Sequence, residues 1–295
     1  MERNMKACLR GIRKRMIGWG LIGLLAGAGI SSFHAADIPK SLQIVPLRRA
    51  HAHNDYEHPH PLFDALACGF CSVEADVHLV DGKLLVAHDR WQVRPDRTLE
   101  RLYLQPLWRL VQTNHGRVYP GGPDVTLLID IKSEAEATWK ALQPLLERYR
   151  PMLTVFRKDK IQKGAVTVIL SGNRPIQTLA RLPERLAAID GRLPDLDRNP
   201  PVSLVPLISD SWRRVFSWRG NGPIPESDRK RLLELVHRAH AQGRRIRFWA
   251  APDSPVAWEL LYDAGVDLIN TDHLQALQRF LLQKQKEANA SGTGK

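Results

Sequence analysis

The sequence predicts an α/β chain folded as a single-domain TIM barrel, (β/α)8. Two observations lead there. Eight short apolar runs alternate with helical patterns over about 250 residues, the length such barrels usually need. Polar residues of related chemistry also gather at the ends of those runs, where barrels of this kind carry their chemistry. The alternation is broken by neither a long linker nor an internal repeat.

The expected strands are Leu47–His53, Ser72–His78, Val125–Lys132, Val166–Ser171, Leu186–Asp190, Val202–Ser209, Ile246–Ala250 and Val266–Asp272. The fifth and sixth border the proline-rich stretch 193–201 and are the weakest. A side hairpin, Lys83–His88, follows the Asp81-Gly82 turn. Expected helices cover Pro61–Cys68, with proline in the first turn, then Thr98–Thr113, Glu134–Tyr149 and Ile176–Arg181. Ser227–Gln242 stops at Gly243, and Ser254–Ala264 runs from a serine cap to Gly265. His273–Glu287 closes the barrel.

Residues 1–36 read as an export signal: six Lys and Arg precede an apolar run from Met16 to Ile30, too short for a comfortable membrane span and ending in small residues. Phe33 or His34 would occupy a position that prefers a small side chain, so an uncleaved N-terminal anchor is the alternative. Residues 37–288 form the expected barrel and 289–295 a polar tail. The expected location is periplasmic or secreted.

The net charge of +12 falls to +7 without the leader. A modest positive excess suits phosphate substrates or peripheral contact with anionic lipid. Basic residues are not interleaved with aromatics, which argues against nucleic acid. The remaining chain is expected to be a monomer. Cys68 and Cys71 read as two buried small residues rather than a disulfide, and two thiols cannot complete a zinc site.

The chemistry-bearing residues come in a fixed order: His51-Ala52-His53-Asn54-Asp55, Glu74-Ala75-Asp76, His88-Asp89, Asp130-Ile131-Lys132. Glu74 and Asp76 stand two apart, on one side of a strand. With Asp130 they offer only oxygen ligands, which favours one Mg²⁺ or Ca²⁺ over zinc. His51 and His88 suit a base and an acid, since imidazole titrates near neutrality. Lys132 can meet a phosphoryl oxygen. Arg174 in Ser171-Gly172-Asn173-Arg174 can hold an anion, and Trp249 can wall a pocket or fill the barrel.

These residues resemble the superfamily of phosphatidylinositol-specific phospholipase C and glycerophosphodiester phosphodiesterase, over roughly residues 47–275. The resemblance rests on His51, Glu74-x-Asp76, His88-Asp89 and Gly265-Val266-Asp267-Leu268-Ile269-Asn270-Thr271-Asp272. It implies a TIM barrel, an acid–base pair at His51 and His88, and a metal on Glu74, Asp76 and Asp130. Glycerophosphodiesterases usually carry His-Arg-Gly at the first strand and Glu where Asp130 stands. The His51-x-x-Asn54, Asp130-x-Lys132 and Trp249 features are similar to the sphingomyelinase-D-like branch, which brings Asn54 into the substrate-binding set. His51–Tyr56 and Ser171–Pro175 resemble a phospholipase-C-like subgroup.

The expected function is a metal-dependent phosphodiesterase acting on glycerophosphodiester or lysophospholipid-like substrates, through a cyclic phosphate if a substrate hydroxyl attacks. One alternative is a zinc amidohydrolase-like enzyme built on His51-x-His53 with Asp272. The other is a non-catalytic binder of phosphodiesters or lipid head groups.

Overall fold

The computed structural model describes residues 44–158 and 160–292. The expected leader, and residues 293–295 of the expected tail, lie outside the described residues. Among the described residues no helix is long and apolar enough to cross a membrane.

Eight parallel strands form the barrel: β1 (Leu47–Ala52), β2 (Phe70–Val80), β3 (Val125–Ile131), β4 (Val166–Gly172), β5 (Ala187–Gly191), β6 (Leu207–Ser211), β7 (Arg245–Trp249) and β8 (Ile269–Thr271). From β1 to β7 each pairs with the next in sequence, and β8 pairs with β1. A parallel bridge between Arg247 and Leu268 closes the remaining gap. Around the barrel run α1 (Phe63–Ala67), α2 (Gln105–Thr113), α3 (Ala135–Arg148), α4 (Ile176–Arg181), α5 (Asp195–Arg198), α6 (Trp212–Val215), α7 (Glu226–Ala241), α8 (Pro255–Asp263) and α9 (Leu274–Gly292).

Local chemistry explains most of these boundaries. The Glu134 carboxylate caps α3 by accepting from the backbone N–H groups of Glu136 and Ala137. Along α7, Leu232, Leu235, Val236 and Ala239 are buried, one apolar stripe at helical spacing. Side chains on each strand alternate between helices and barrel interior. Leu128, Ile169, Ala188, Leu207 and Leu268 form an apolar cluster, capped by Phe156 from a small antiparallel sheet of Val155–Arg157, Ile161–Gln162 and Glu184–Arg185. Above this floor the interior turns polar.

The structure departs from the expected elements in several places. The sixth strand begins at Leu207, because 202–204 form a turn after Pro201. The small sheet and the one-turn helices α5 and α6 were not expected; segments that short carry no periodicity. Residues Glu100–Leu104 form a π-helical turn leading into α2. Helix α9 continues past Glu287 through Gly292, into residues expected to form a frayed tail. Cys68 and Cys71 are buried and carry no disulfide.

Candidate active site

Register between strands decides which polar residues reach the mouth. Asp76 on β2 is level with Asp130 on β3, while Glu74 is level with Leu128 below. The three carboxylates bring ligand oxygens within 4.8 Å of one another, and they form the only such group of acids, histidines and cysteines among the described residues. Glu74 and Asp76 are buried and Asp130 is half-buried.

Packing three acids together has an electrostatic cost, visible in Asp76. Burial and the neighbouring Glu74 and Asp130 push its carboxyl up to about 6, against the pull of Lys132. The Lys132 ammonium donates to Asp130 Oδ2 at 2.8 Å and lies 3.0 Å from Asp76 Oδ2. The other oxygens, Asp76 Oδ1 and Asp130 Oδ1, are buried and have no hydrogen-bond partner. Orphaned buried carboxylate oxygens facing a negative cluster call for a cation, and an all-oxygen set suits Mg²⁺ or Ca²⁺. The residues therefore fit a divalent ion.

Gly172 makes room for this arrangement. Its φ is +66°, and a Cβ there would stand 2.0 Å from Asp130 Oδ1 and 2.4 Å from the Ile131 carbonyl oxygen.

The two histidines of the first strand have different environments. His51 is level with Ser72 and fully buried. Arg247 Nη1 donates to its Nε2 at 2.7 Å and lies 3.4 Å from Glu74 Oε2. A guanidinium only donates, so Nε2 accepts and Nδ1–H donates to Ser72 Oγ at 2.7 Å. The 3.1 Å approach of Nε2 to Glu74 Oε2 is then a contact between two acceptors bridged by Arg247. Burial and Arg247 lower the His51 pKa to about 4. Both ring nitrogens are occupied inside the barrel, so His51, expected as the base, does not reach the mouth.

His53 does. Its backbone N–H extends the β1–β8 ladder to Thr271 O, and its ring Nδ1 lies 2.8 Å from Asp272 Oδ1. The imidazole side chain is 34% exposed. Burial opposes its charged form, but the Asp272 hydrogen bond and the Glu74 charge outweigh that and raise its pKa. Asp253 steadies this seam by accepting from Asp272 N and Thr271 Oγ1. Glu74 beneath is the converse case: burial would raise its carboxyl, and the Arg247 guanidinium holds it well below the usual carboxylate range.

His88 stands at the mouth as expected, its side chain 49% exposed. Its Nδ1 lies 3.1 Å from the Tyr56 hydroxyl and 3.3 Å from Asp76 Oδ2. Tyr56 donates to Asp76 Oδ2 at 2.8 Å and lies 3.0 Å from Asn54 Oδ1, which draws Asn54 to the same rim. Arg174 turns toward β5: Nη1 donates to the Asp190 carbonyl, and its buried Nε has no partner. Trp249 ends β7 half-buried, with the Arg214 guanidinium 5.5 Å from its ring centroid.

Sequence reasoning missed Tyr56, Arg247 and the His53–Asp272 contact. The Asn54-Asp55-Tyr56 run and the inward alternation of 51 and 53 were available signals; Arg247, inside an apolar strand, was not distinguishable from a surface residue. Among the described residues His51 and His53 belong to no group of three or more converging metal-ligand atoms, so the His51-x-His53 zinc arrangement finds no support there.

Comparison with known proteins agrees with the geometry. Residues 39–185 match the AIM6-like phosphodiesterase domain, and residues 245–275 match the glycerophosphoryl diester phosphodiesterase family. Altered inheritance of mitochondria protein 6 of Eremothecium gossypii is 33% identical over 280 residues, covering 82% of this chain and 72% of that protein. A homolog from Arthroderma benhamiae is 27% identical over 278 residues, covering 84% and 87%. The crystal structure of a glycerophosphodiester phosphodiesterase from Parabacteroides distasonis superposes with a TM-score of 0.53 at 17% identity, over 80% of this chain and 98% of that one, a likeness of fold. The chain therefore belongs to the AIM6-like phosphodiesterase domain family, within the phospholipase-C-like and glycerophosphodiester phosphodiesterase superfamily.

Proposed function

We propose that the chain is an exported, divalent-cation-dependent phosphodiesterase that cleaves glycerophosphodiester or lysophospholipid-like substrates, with His53 and His88 moving the protons. One observation carries the reading. A carboxylate cluster with two orphaned oxygens shares the mouth with two imidazoles, each with its Nδ1 turned to a protein partner.

Glu74, Asp76 and Asp130 would hold the cation, which when bound polarises a phosphoryl oxygen and offsets charge developing there. With Nδ1–H donated to Asp272, His53 keeps its Nε2 lone pair to take a proton from a substrate hydroxyl or from water. Asp272 then stabilises the imidazolium, as its effect on the His53 pKa indicates. With Nδ1–H donated to the Tyr56 hydroxyl, His88 presents Nε2–H to the leaving alcohol. Lys132, held between Asp76 and Asp130, is placed to meet a phosphoryl oxygen. The Asn54 amide and Arg174 supply further donors, and Trp249 an apolar wall. An attacking substrate hydroxyl would give a cyclic phosphate as first product.

The basic segment before Met16 and the apolar run after it support export. Phosphorus-31 NMR with a panel of glycerophosphodiesters and lysophospholipids, with and without Mg²⁺ or Ca²⁺, tests the reaction. Cation-dependent appearance of a monoester or cyclic phosphate supports the reading, and unchanged spectra across the panel oppose it. Fractionation that finds full-length protein in the cytosol, detached from membrane, would overturn export.

A further inference from the structure

A cavity of about 670 Å³ adjoins the His53–Asp272 pair. It is lined by His58 and His60 from the segment between β1 and α1, by Asp64 of α1, and by Asp272, His273 and Arg279 from the end of β8 and the start of α9. Its volume is that of a small-molecule site, larger than one phosphate group needs.

Two carboxylates, Asp64 and Asp272, and one guanidinium, Arg279, face this cavity among histidines. Asp64 is engaged by His60 twice, accepting from the backbone N–H at 3.0 Å and lying 3.2 Å from the ring Nδ1. Asp272 is engaged by His53. Both acids lining the cavity thus have short contacts to histidines. The imidazoles of His58 and His273 and the Arg279 guanidinium remain to meet a ligand, and the first two already act electrostatically on Asp272. A metal does not suit these donors: the group of ligand atoms that converges among the described residues is Glu74, Asp76 and Asp130, none of which lines this cavity. Imidazoles and a guanidinium around a polar cavity instead suit an anion with several acceptor oxygens.

Position identifies the part of the substrate. The cavity shares Asp272 with the His53–Asp272 pair, so it adjoins the mouth beside His53. We propose that it is a substrate subsite receiving a second anionic group, a phosphate monoester or a carboxylate, on the portion of the phosphodiester that lies beside His53. This assignment rests on the phosphodiesterase reading above.

The test compares matched substrates. Glycerophosphoinositol 4-phosphate is set against glycerophosphoinositol, and glycerophosphoserine against glycerophosphoethanolamine, with the wild type, Arg279→Ala and Arg279→Lys. Arg279 is exposed on α9, so truncating it leaves the core intact. The wild type should favour at least one doubly anionic substrate by about tenfold or more in kcat/KM. The pair with the larger ratio separates phosphate from carboxylate. Arg279→Ala should bring that ratio to about twofold or less through KM, and Arg279→Lys should restore part of it. Equal ratios in wild type and Arg279→Ala overturn the subsite.

A second readout needs no turnover. Metal-stripped protein is titrated calorimetrically with inorganic phosphate; binding should be measurable in the wild type and lost in Arg279→Ala. No binding, or unchanged binding in the variant, overturns the proposal. Arg279-dependent phosphate binding without turnover of any of the four substrates would keep the anion site and overturn the phosphodiesterase reading, so the two failures are distinct.

Discussion

His53 and Asp272 meet where the first and last strands of the barrel close on each other, with ring Nδ1 and carboxylate Oδ1 2.8 Å apart. The two residues are 219 positions apart in the chain, so the contact exists only once the barrel has closed. Two residues earlier, His51 spends both ring nitrogens on Ser72 and Arg247.

This difference predicts separable effects of mutation. His53→Ala should lower turnover by about a hundredfold or more with little change in thermal stability, because a general base typically contributes 10²–10⁴-fold. His51→Ala should instead destabilise the fold by roughly 2 kcal/mol, since it removes the fully buried ring that Arg247 and Ser72 hydrogen-bond and leaves Arg247 only its longer contact to Glu74. Urea unfolding and steady-state kinetics on both variants check this. Loss of turnover by His51→Ala at full stability would put the base back on His51.

Asp272→Asn should move the acid limb of the pH–rate profile. Asp272 raises the His53 pKa, and His53 must be unprotonated to accept a proton. Without the carboxylate that pKa falls, so the limb shifts to lower pH while the maximal rate drops. A limb that stays in place would show that another group sets it.

Gly172→Ala should cost metal affinity. The added Cβ needs the space of Asp130 Oδ1 and a backbone conformation that L residues rarely adopt. Calorimetric titration with Mg²⁺ and Ca²⁺ should show binding at least about tenfold weaker than wild type, a change of roughly 1.4 kcal/mol. Equal affinity would mean that Asp130 is not a ligand.

Asp55 gives a stability prediction with a definite sign. Burial pushes its carboxyl up to about 7, despite hydrogen bonds from Leu62 N at 2.6 Å and the Tyr103 hydroxyl at 2.8 Å. The folded state therefore holds this proton more tightly than the unfolded chain. The stabilisation from the neutral acid is complete below the unfolded value near 4, and it is lost as pH rises through about 7. That loss is on the order of a few kcal/mol. Asp55→Asn keeps the acceptor oxygen without the charge, so its unfolding free energy should exceed wild type by more at pH 8 than at pH 5.

Much of this arrangement was legible in the sequence, and the missing parts share one cause. Strand periodicity placed Glu74 and Asp76 on one face, and Asp130 two residues before Lys132, and the folded chain gathers all four side chains at the mouth. What a single strand cannot reveal is its vertical offset from its neighbours. That offset puts His51 level with Ser72 and leaves His53 at the rim. Arg247 was unreadable for a similar reason: only barrel closure shows that it points inward, toward Glu74, rather than to solvent.

The most direct measurement of the central claim, a His53 base and a His88 acid, varies the leaving group. Turnover of a glycerophosphodiester and of a nitrophenyl phosphodiester is compared in the wild type, His53→Ala and His88→Ala. A nitrophenolate needs little protonation as it departs, so the nitrophenyl ester should recover much of the rate lost in His88→Ala and little of that lost in His53→Ala. Equal recovery in both variants would contradict the assigned roles. Near-wild-type turnover of the glycerophosphodiester by both would contradict the mechanism.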